Sequence, residues 1–298
     1  MYYLAYVHRS RKKMKRHSEN FRYFIVSYLP RKLSIESQVF YYKFIGILGY
    51  LLRRNHRIIS LEEISIQNLG LLWRVNCTDG SIYIPNTTRI SRFIWGIDHA
   101  LNRLSAQYSS KSEDIMENTI VVDGGANIGE FSYWALRNGA AGAIVIDPDD
   151  KNIYCARLNL ERYEQKVTYL NRALSDSEGV SQFYFSQDSA NSSMYGNSSK
   201  DEIQEIRNIE TTTLDNIFVN YLRNREYILK LDAEGHEPEV VKGAYQFLLH
   251  CNRYFIDVSA ERYLESTQME VEKLLTSYSL KYKVVTTQNS RIIIHKNV

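Results

Sequence analysis

Between Thr119 and Gly129 the chain reads TIVVDGGANIG, an apolar run that stops at an acid and two glycines just before a helical stretch. A short continuous apolar run suits a strand covered on both faces. Small residues after it let the backbone turn sharply into a helix whose first N–H groups have no partner within the helix. The pattern recurs. EFSYWALRNG is a helix ending at Gly139; GAIVID (142–147) is a second buried strand and DDKNIYCARLNLERY a second helix. VTYLNRAL (167–174), YILKLD (227–232) and RYFIDVS (253–259) are further strands, with helices in EGHEPEVVKGAYQFLL and MEVEKLLTSYSL. Strand–helix alternation of this kind requires right-handed crossovers and a parallel sheet. The final YKVVTTQNSRIIIHK reads as two strands joined at Gln288-Asn289-Ser290. The expected fold is α/β, a doubly wound, mostly parallel Rossmann-like sheet ending in an antiparallel hairpin.

The rest of the chain has another texture. RVNCTDGSIYIP is a hairpin signal with Asp79-Gly80 as its turn, and residues 91–108 carry apolar groups at helical spacing. Residues 175–207 are polar and rich in Ser and Asn, with one strand expected at 180–185 and loop elsewhere. Charge divides the chain. Residues 1–60 hold 13 Lys/Arg against 2 Asp/Glu, whereas the remainder carries 24 against 32. Three parts are therefore expected: a basic, mainly helical region at 1–57, a hairpin and helix at 58–110, and the α/β domain at 111–298. Cys77, Cys155 and Cys251 form no C-x-x-C pair, and their odd number argues against a disulfide framework or a cysteine-built metal site. The best apolar run, Phe40–Leu52, contains Lys43 and is shorter than the ~20 residues a spanning helix needs. No signal peptide or transmembrane helix is expected, and a reducing, cytoplasmic setting fits the cysteines.

The glycine turn lies where a strand ends and a helix begins, the place where open α/β sheets bind ligands. It lacks the G-x-G-x-x-G spacing of a dinucleotide fingerprint, since Asn127 stands where a spaced glycine is needed. Asp147 ends the second strand, 24 residues after Asp123, where a carboxylate can accept hydrogen bonds from a ribose diol. Taken singly, Gly124 and Gly125 are equally a tight turn, and Asp147 a helix cap before Pro148. Taken together, at the tips of adjacent strands, they favour a nucleoside-bearing cofactor.

DGGANIGEFS, the acidic IDPD, TTTLDNI (211–217) and above all LKLDAEGHEPEVVKGA (229–244) resemble the FkbM-type family of S-adenosylmethionine-dependent methyltransferases. The resemblance covers about 119–298, and the terminal hairpin agrees with it, because class I methyltransferases end their sheet with an antiparallel strand. It implies S-adenosyl-L-methionine as cofactor. It places Asp123, Gly125, Asn127 and Gly129 around the methionine part, with Gly124 and Ala126 in the same turn, Asp147 on the ribose, and Ala173 and Leu174 beside the adenine. Family members often have Val at the position of Gly124 and Glu at that of Asp147. They differ in acceptor, many acting on hydroxyls of sugars or secondary metabolites.

Methyl transfer to a hydroxyl needs alignment and a base. LDAEGHE supplies Asp232, Glu234, His236 and Glu237 at a strand tip, and the His236 imidazole, with an ordinary pKa of ~6.5, is an alternative base to the carboxylates. Asp232 and Glu234 can share a face, and their mutual repulsion would make one of them the better base. Glu234 and Glu237 can equally cap the next helix. No metal is expected, since the sequence shows no second set of acids. Ser189–Ser199 reads as a loop beside the crevice, able to close over an acceptor. The expected acceptor is a small-molecule, glycan or lipid-linked hydroxyl compound. Nucleic acid is not expected, for want of a reading module. Residues 8–57 suit peripheral contact with the inner, anionic face of a membrane, a cap over the acceptor, or a basic bundle packed on the acidic body, the last being favoured by the charge balance. The oligomeric state is left open. Rival readings are a non-catalytic cofactor-binding or membrane-docking module and a nicotinamide-dependent oxidoreductase, the latter disfavoured by the glycine spacing.

Overall fold

The structure, a computed structural model, describes residues 37, 40, 41, 44, 64–108, 118–186, 192–196, 203–263, 265–287 and 291–296. The expected basic helical region at 1–57 therefore lies almost wholly outside the described residues, as does the Gln288-Asn289-Ser290 turn.

Strands β1 (Ser65–Asn68), β2 (Trp73–Cys77) and β3 (Gly80–Ile84) form an antiparallel sheet. Cys77 pairs with Gly80, so the turn is Thr78-Asp79, one position earlier than the sequence suggests. The Asp79 carboxylate accepts the N–H groups of Ile97 (3.0 Å) and Asp98 (2.6 Å), and so caps helix α1 (Ile97–Gln107). The single helix expected over 91–108 is interrupted at Gly96, whose φ of +88° separates α1 from a preceding turn of helix, Ile90–Phe93.

The main domain begins with β4 (Thr119–Gly124), α2 (Glu130–Arg137), β5 (Gly142–Ile146), α3 (Asp150–Asn159) and β6 (Val167–Leu170). β7 (Ala173–Leu174), β8 (Gly179–Ser186) and β9 (Ile203–Thr212) form a separate sheet in the order β7-β9-β8. The strand expected over 167–174 divides because the Asn171 side chain donates to the carbonyls of Asp147 and Pro148, both at 3.0 Å. β9 begins in the segment read as loop; it pairs with β8 over a ribbon whose exposed face mixes Val180 and Ile206 with polar residues, so no continuous apolar run marks it. Next come β10 (Glu226–Leu231), α4 (Glu237–Lys242), α5 (Tyr245–His250), β11 (Arg253–Asp257), β12 (Ala260–Arg262), α6 (Gln268–Ser277), β13 (Tyr282–Thr286) and β14 (Ile292–Lys296). The helix expected at 234–249 is two, α4 and α5. They part at Gly243, where a β-carbon would come within 2.5 Å of the Ser175 carbonyl oxygen.

The seven-stranded sheet has the order β13-β14-β11-β10-β4-β5-β6. β6, β5, β4, β10 and β11 are parallel, and β14 is antiparallel to both β11 and β13. This is the expected doubly wound sheet with its antiparallel ending. The two-residue period of the strands sorts side chains between two cores. Val121, Val145, Ile228, Phe255 and Ile293 face the core shared with β2, β3, α1, α2 and α3. Val122, Ile144, Ile146, Leu229, Leu231, Ile256 and Ile294 face the core under α4, α5 and α6. Each fully buried aliphatic side chain of this kind stabilises the fold by roughly 1.5–3 kcal/mol. Burial on both faces is why these strands read as unbroken apolar runs.

Candidate active site

β4, β5 and β10 end together at one edge of the sheet, and a cleft of about 960 Å³, counted to its open mouth, lies above their tips. The glycine turn forms its floor. Gly125 has φ +66°, and a β-carbon there would stand 1.8 Å from the Asp232 carbonyl oxygen. The turn crosses the end of β10 that closely, and Asp232 N–H continues the ladder by donating to Gly124 O at 3.1 Å. Lys230, buried in β10, donates from Nζ to Gly125 O (2.7 Å) and Gly124 O (3.2 Å) and lies 3.3 Å from Asp123 Oδ1. Asp123 is fully buried and its Oδ2 accepts the N–H and hydroxyl of Ser132, which fixes the start of α2. Of the expected cofactor residues, Gly125, Ala126, Asn127, Asp147, Ala173 and Leu174 line the cleft, whereas Asp123, Gly124 and Gly129 stand behind it as supports.

Asp147 sits at the tip of β5. Its Oδ2 accepts Asn127 N–H (2.7 Å), and its Oδ1 accepts Asp149 N–H (2.9 Å) and the Asn152 amide (3.1 Å). Burial, then the charge of Asp149, pushes its carboxyl up to about 6. Asn152, Phe183 and Met194 complete this wall; Met194 belongs to the loop expected beside the crevice, whereas Asn152 and Phe183 were not singled out in the sequence, because α3 and β8 reach the cleft only through the fold.

The other half is acidic. Asp232 Oδ2 accepts the Tyr108 hydroxyl at 2.5 Å and lies 3.4 Å from Arg291 Nη1, while its Oδ1 is buried with no hydrogen-bond partner. Burial alone would raise this carboxyl; Arg291, then Lys230 and the Tyr108 bond, outweigh it and hold Asp232 below the usual carboxylate range. Glu234 behaves oppositely. No hydrogen bond to its carboxyl is formed among the described residues, and burial, followed by the charge of Asp232, drives it well above the ordinary value. Arg291 also pairs with Asp257 and, at 3.0 Å, with Glu261 Oε1. Tyr108, Arg291 and Glu261 are the acid-site residues that sequence reasoning did not find. Nothing in their spacing links them to Asp232.

His236 lines the cleft with both ring nitrogens engaged, Nε2 with Ser175 Oγ and Nδ1 with the Tyr195 hydroxyl, each at 3.1 Å. Burial lowers its basicity. Through Tyr195 it holds the described part of the Ser/Asn-rich segment, from which Ser192 and Met194 reach the cleft wall. Glu237 is fully buried and reaches back to accept the N–H groups of Ala233 and Gly235, both at 3.0 Å, and the Thr267 hydroxyl at 2.9 Å. It shapes the turn on which Glu234, at φ +49°, is presented.

A sequence model described as Methyltransferase FkbM domain matches residues 123–283, more than half of the chain. No curated protein matches the chain significantly. Similar solved structures include a ribosomal protein L11 methylase from Lactobacillus delbrueckii subsp. bulgaricus, 12% identical over 66% of this chain and 76% of that one, with a TM-score of 0.38. An O-methyltransferase family protein from Burkholderia thailandensis is 12% identical over 70% and 62%, with a TM-score of 0.41. M. capricolum TrmK, solved in complex with S-adenosyl-homocysteine, is 12% identical over 66% of each chain, with a TM-score of 0.39.

Proposed function

The chain belongs to the FkbM-type methyltransferase family and so uses S-adenosylmethionine; from that premise we propose that it methylates a hydroxyl oxygen of a carbohydrate, glycolipid or secondary-metabolite precursor. The cleft fits the cofactor. Asn152 is 1% exposed and keeps its Oδ1 buried without a partner beside Asp147, so two hydrogen-bond acceptors stand ready for the two donors of a ribose diol. Ala173, Leu174 and Phe183 supply an apolar flank. When bound, S-adenosylmethionine supplies a methyl group on a positively charged sulfur, open to in-line displacement.

One observation carries the hydroxyl reading: two carboxyls share the cleft, Asp232 bonded to Tyr108 and Arg291 and Glu234 with no hydrogen bond among the described residues. Asp232, held by Tyr108 and Arg291, stays ionised and offers its free Oδ1 to orient the acceptor hydroxyl. Glu234, more basic and without a hydrogen bond among the described residues, takes the hydroxyl proton. His236 serves as a positioning residue for the segment bearing Ser192 and Met194. Arg291 already supplies a positive charge among these carboxylates, which supports a reaction without a divalent metal. The acceptor is brought in from solution or from a membrane surface touched by the basic segment 8–57. Among the described residues no helix is long and apolar enough to cross a membrane.

The test is turnover of methyl-labelled cofactor on a panel of sugars and lipid-linked sugars. Glu234→Gln is expected to lower kcat by ~100-fold or more with cofactor affinity unchanged. Asp232→Asn is expected to raise KM for the acceptor as well as lower kcat. A chelator should leave the rate unaltered. Full turnover by Glu234→Gln, or transfer to nitrogen acceptors alone, overturns the reading. Co-sedimentation with anionic against neutral vesicles tests the membrane contact, and equal recovery on both removes it.

A further inference from the structure

Behind Glu234 the turn Ala233-Glu234-Gly235 is pressed against β12. A β-carbon on Gly235 would lie 2.8 Å from Arg262 N and 3.0 Å from Arg262 Cα, and Arg262 Nε donates to Gly235 O at 2.6 Å. Only glycine permits so close an approach, and its φ is +95°. The approach brings Glu261, the residue before Arg262, up behind Glu234. Carboxylate oxygens of Glu234, Glu261 and Asp232 all lie within 4.8 Å of one another. Of the two Glu261 oxygens, Oε1 is tied to Arg291 at 3.0 Å, whereas Oε2 is buried with no hydrogen-bond partner. Glu261 does not line the cleft; Glu234 does.

We propose that Glu261 is a positioning residue for methyl transfer: it stands behind Glu234 as the second carboxyl of a proton-sharing pair, keeping Glu234 basic and taking over the proton that Glu234 removes from the acceptor. The proposal rests on the reading of Glu234 as the base. In the step, the acceptor O–H bond breaks and its proton goes to a Glu234 oxygen. The electron pair of that bond remains on oxygen while an oxygen lone pair forms the new O–C bond, and the pair of the broken C–S bond returns to sulfur. Both carboxyls of the pair are ionised before the step; the proton that Glu234 takes is then shared with Glu261, which frees the oxygen facing the cleft, and it leaves to solvent before the next turnover.

The geometry has a chemical rationale. Two carboxyls this close, out of water, do not both ionise easily; one proton between them is the stable arrangement. Burial, then the charge of Glu234, then that of Asp232, drives Glu261 well above the ordinary range, in line with the placement. Besides Glu261, the charges that face Glu234 are those of Asp232, Arg291, Asp257 and Glu237, and Lys230 acts on Asp232 beside it. Arg291 supplies one positive charge to Asp232, Asp257 and Glu261 together, so the grouped acids carry more negative charge than their cation balances, and the pair takes up the acceptor's proton readily.

The experiment is the pH dependence of kcat for the full chain and for Glu261→Gln, with cofactor affinity measured by calorimetry. Gln keeps an oxygen for Arg291 and removes the proton-sharing carboxyl. The acid limb of the profile is expected to move about one pH unit lower and the plateau to fall ~10-fold, with cofactor affinity unchanged; Glu261→Asp should restore most of the limb. Infrared difference spectra of the unmodified protein should show a protonated-carboxyl band that Glu261→Gln diminishes, a readout that needs no activity. An unmoved acid limb in Glu261→Gln, alongside lost turnover in Glu234→Gln, overturns the proposal and leaves Glu234 as the base. An acid limb retained in Glu234→Gln overturns the reading of the base, and the pair with it.

Discussion

Asp232 and Glu234 are two residues apart, yet their neighbours drive them in opposite directions. Tyr108, Lys230 and Arg291 surround the first with donors and positive charge; the second meets burial and the first one's negative charge. Alternation along a strand tip was enough to bring both into consideration from the sequence. Which is the stronger base was not legible there, because the groups that decide it come from α1, from the body of β10 and from the start of β14. Asp147 is the opposite case. A carboxylate at the end of an apolar strand and before a helix can be read directly, and it lines the cleft as expected. Its carboxyl is pushed up to about 6 by burial and Asp149, above the ~3.9 of an exposed aspartate. The surroundings of Asp147 in the protein thus favour its neutral form. Its contribution to stability is present at low pH and is lost as pH rises from ~4 through about 6. A ribose diol prefers the ionised form, so cofactor affinity should rise several-fold between ~pH 5 and ~pH 7. In Asp147→Asn, affinity should be weaker and flat with pH, as isothermal titration would show.

At the scale of the element, the floor of the cleft is one turn laid across the end of β10, and its two adjacent glycines face different demands. A side chain at Gly125 meets backbone, 1.8 Å from a carbonyl oxygen, on a φ of +66°. A side chain at Gly124 meets Leu174 Cδ1 at 2.8 Å, the far end of a side chain that can rotate away. Gly125→Ala is expected to cost ~3 kcal/mol and to abolish cofactor binding, whereas Gly124→Ala should cost ~1 kcal/mol and retain it. Calorimetric melting of the two variants side by side would separate them. Such turns were legible because they rest on local backbone geometry. The breaks at Asn171 and Gly243 were not, since each exists to let a distant segment in: the carbonyls of Asp147 and Pro148 in one case, that of Ser175 in the other. β9 escaped notice because a strand that faces water on one side, outside the main sheet, carries no long apolar run.

Across the whole molecule, the catalytic half of the cleft is completed from both flanks of the family-matched segment. Tyr108 precedes residue 123 and Arg291 follows residue 283, and both contact the same oxygen of Asp232. The upstream sheet and α1 also share a core with β4, through Val75, Ile82, Ile90, Phe93 and Leu101 packed with Val121 and Phe131. A chain shortened to 118–298 should therefore lose cooperative melting and cofactor binding together, followed by circular dichroism; an intact, cofactor-binding fragment would mean that the upstream part is an accessory. β14 has a further consequence, for the order of assembly. It is made after β13 but lies inside it, between β13 and β11. During synthesis β13 has no neighbour to join until its successor emerges, so this side of the sheet closes in one late step. Arg291 arrives at the head of that strand. Without that strand Asp232, Asp257 and Glu261 would lack the guanidinium they share. Pairing β14 with β11 and bringing a positive charge among the acids of the cleft are thus one and the same event.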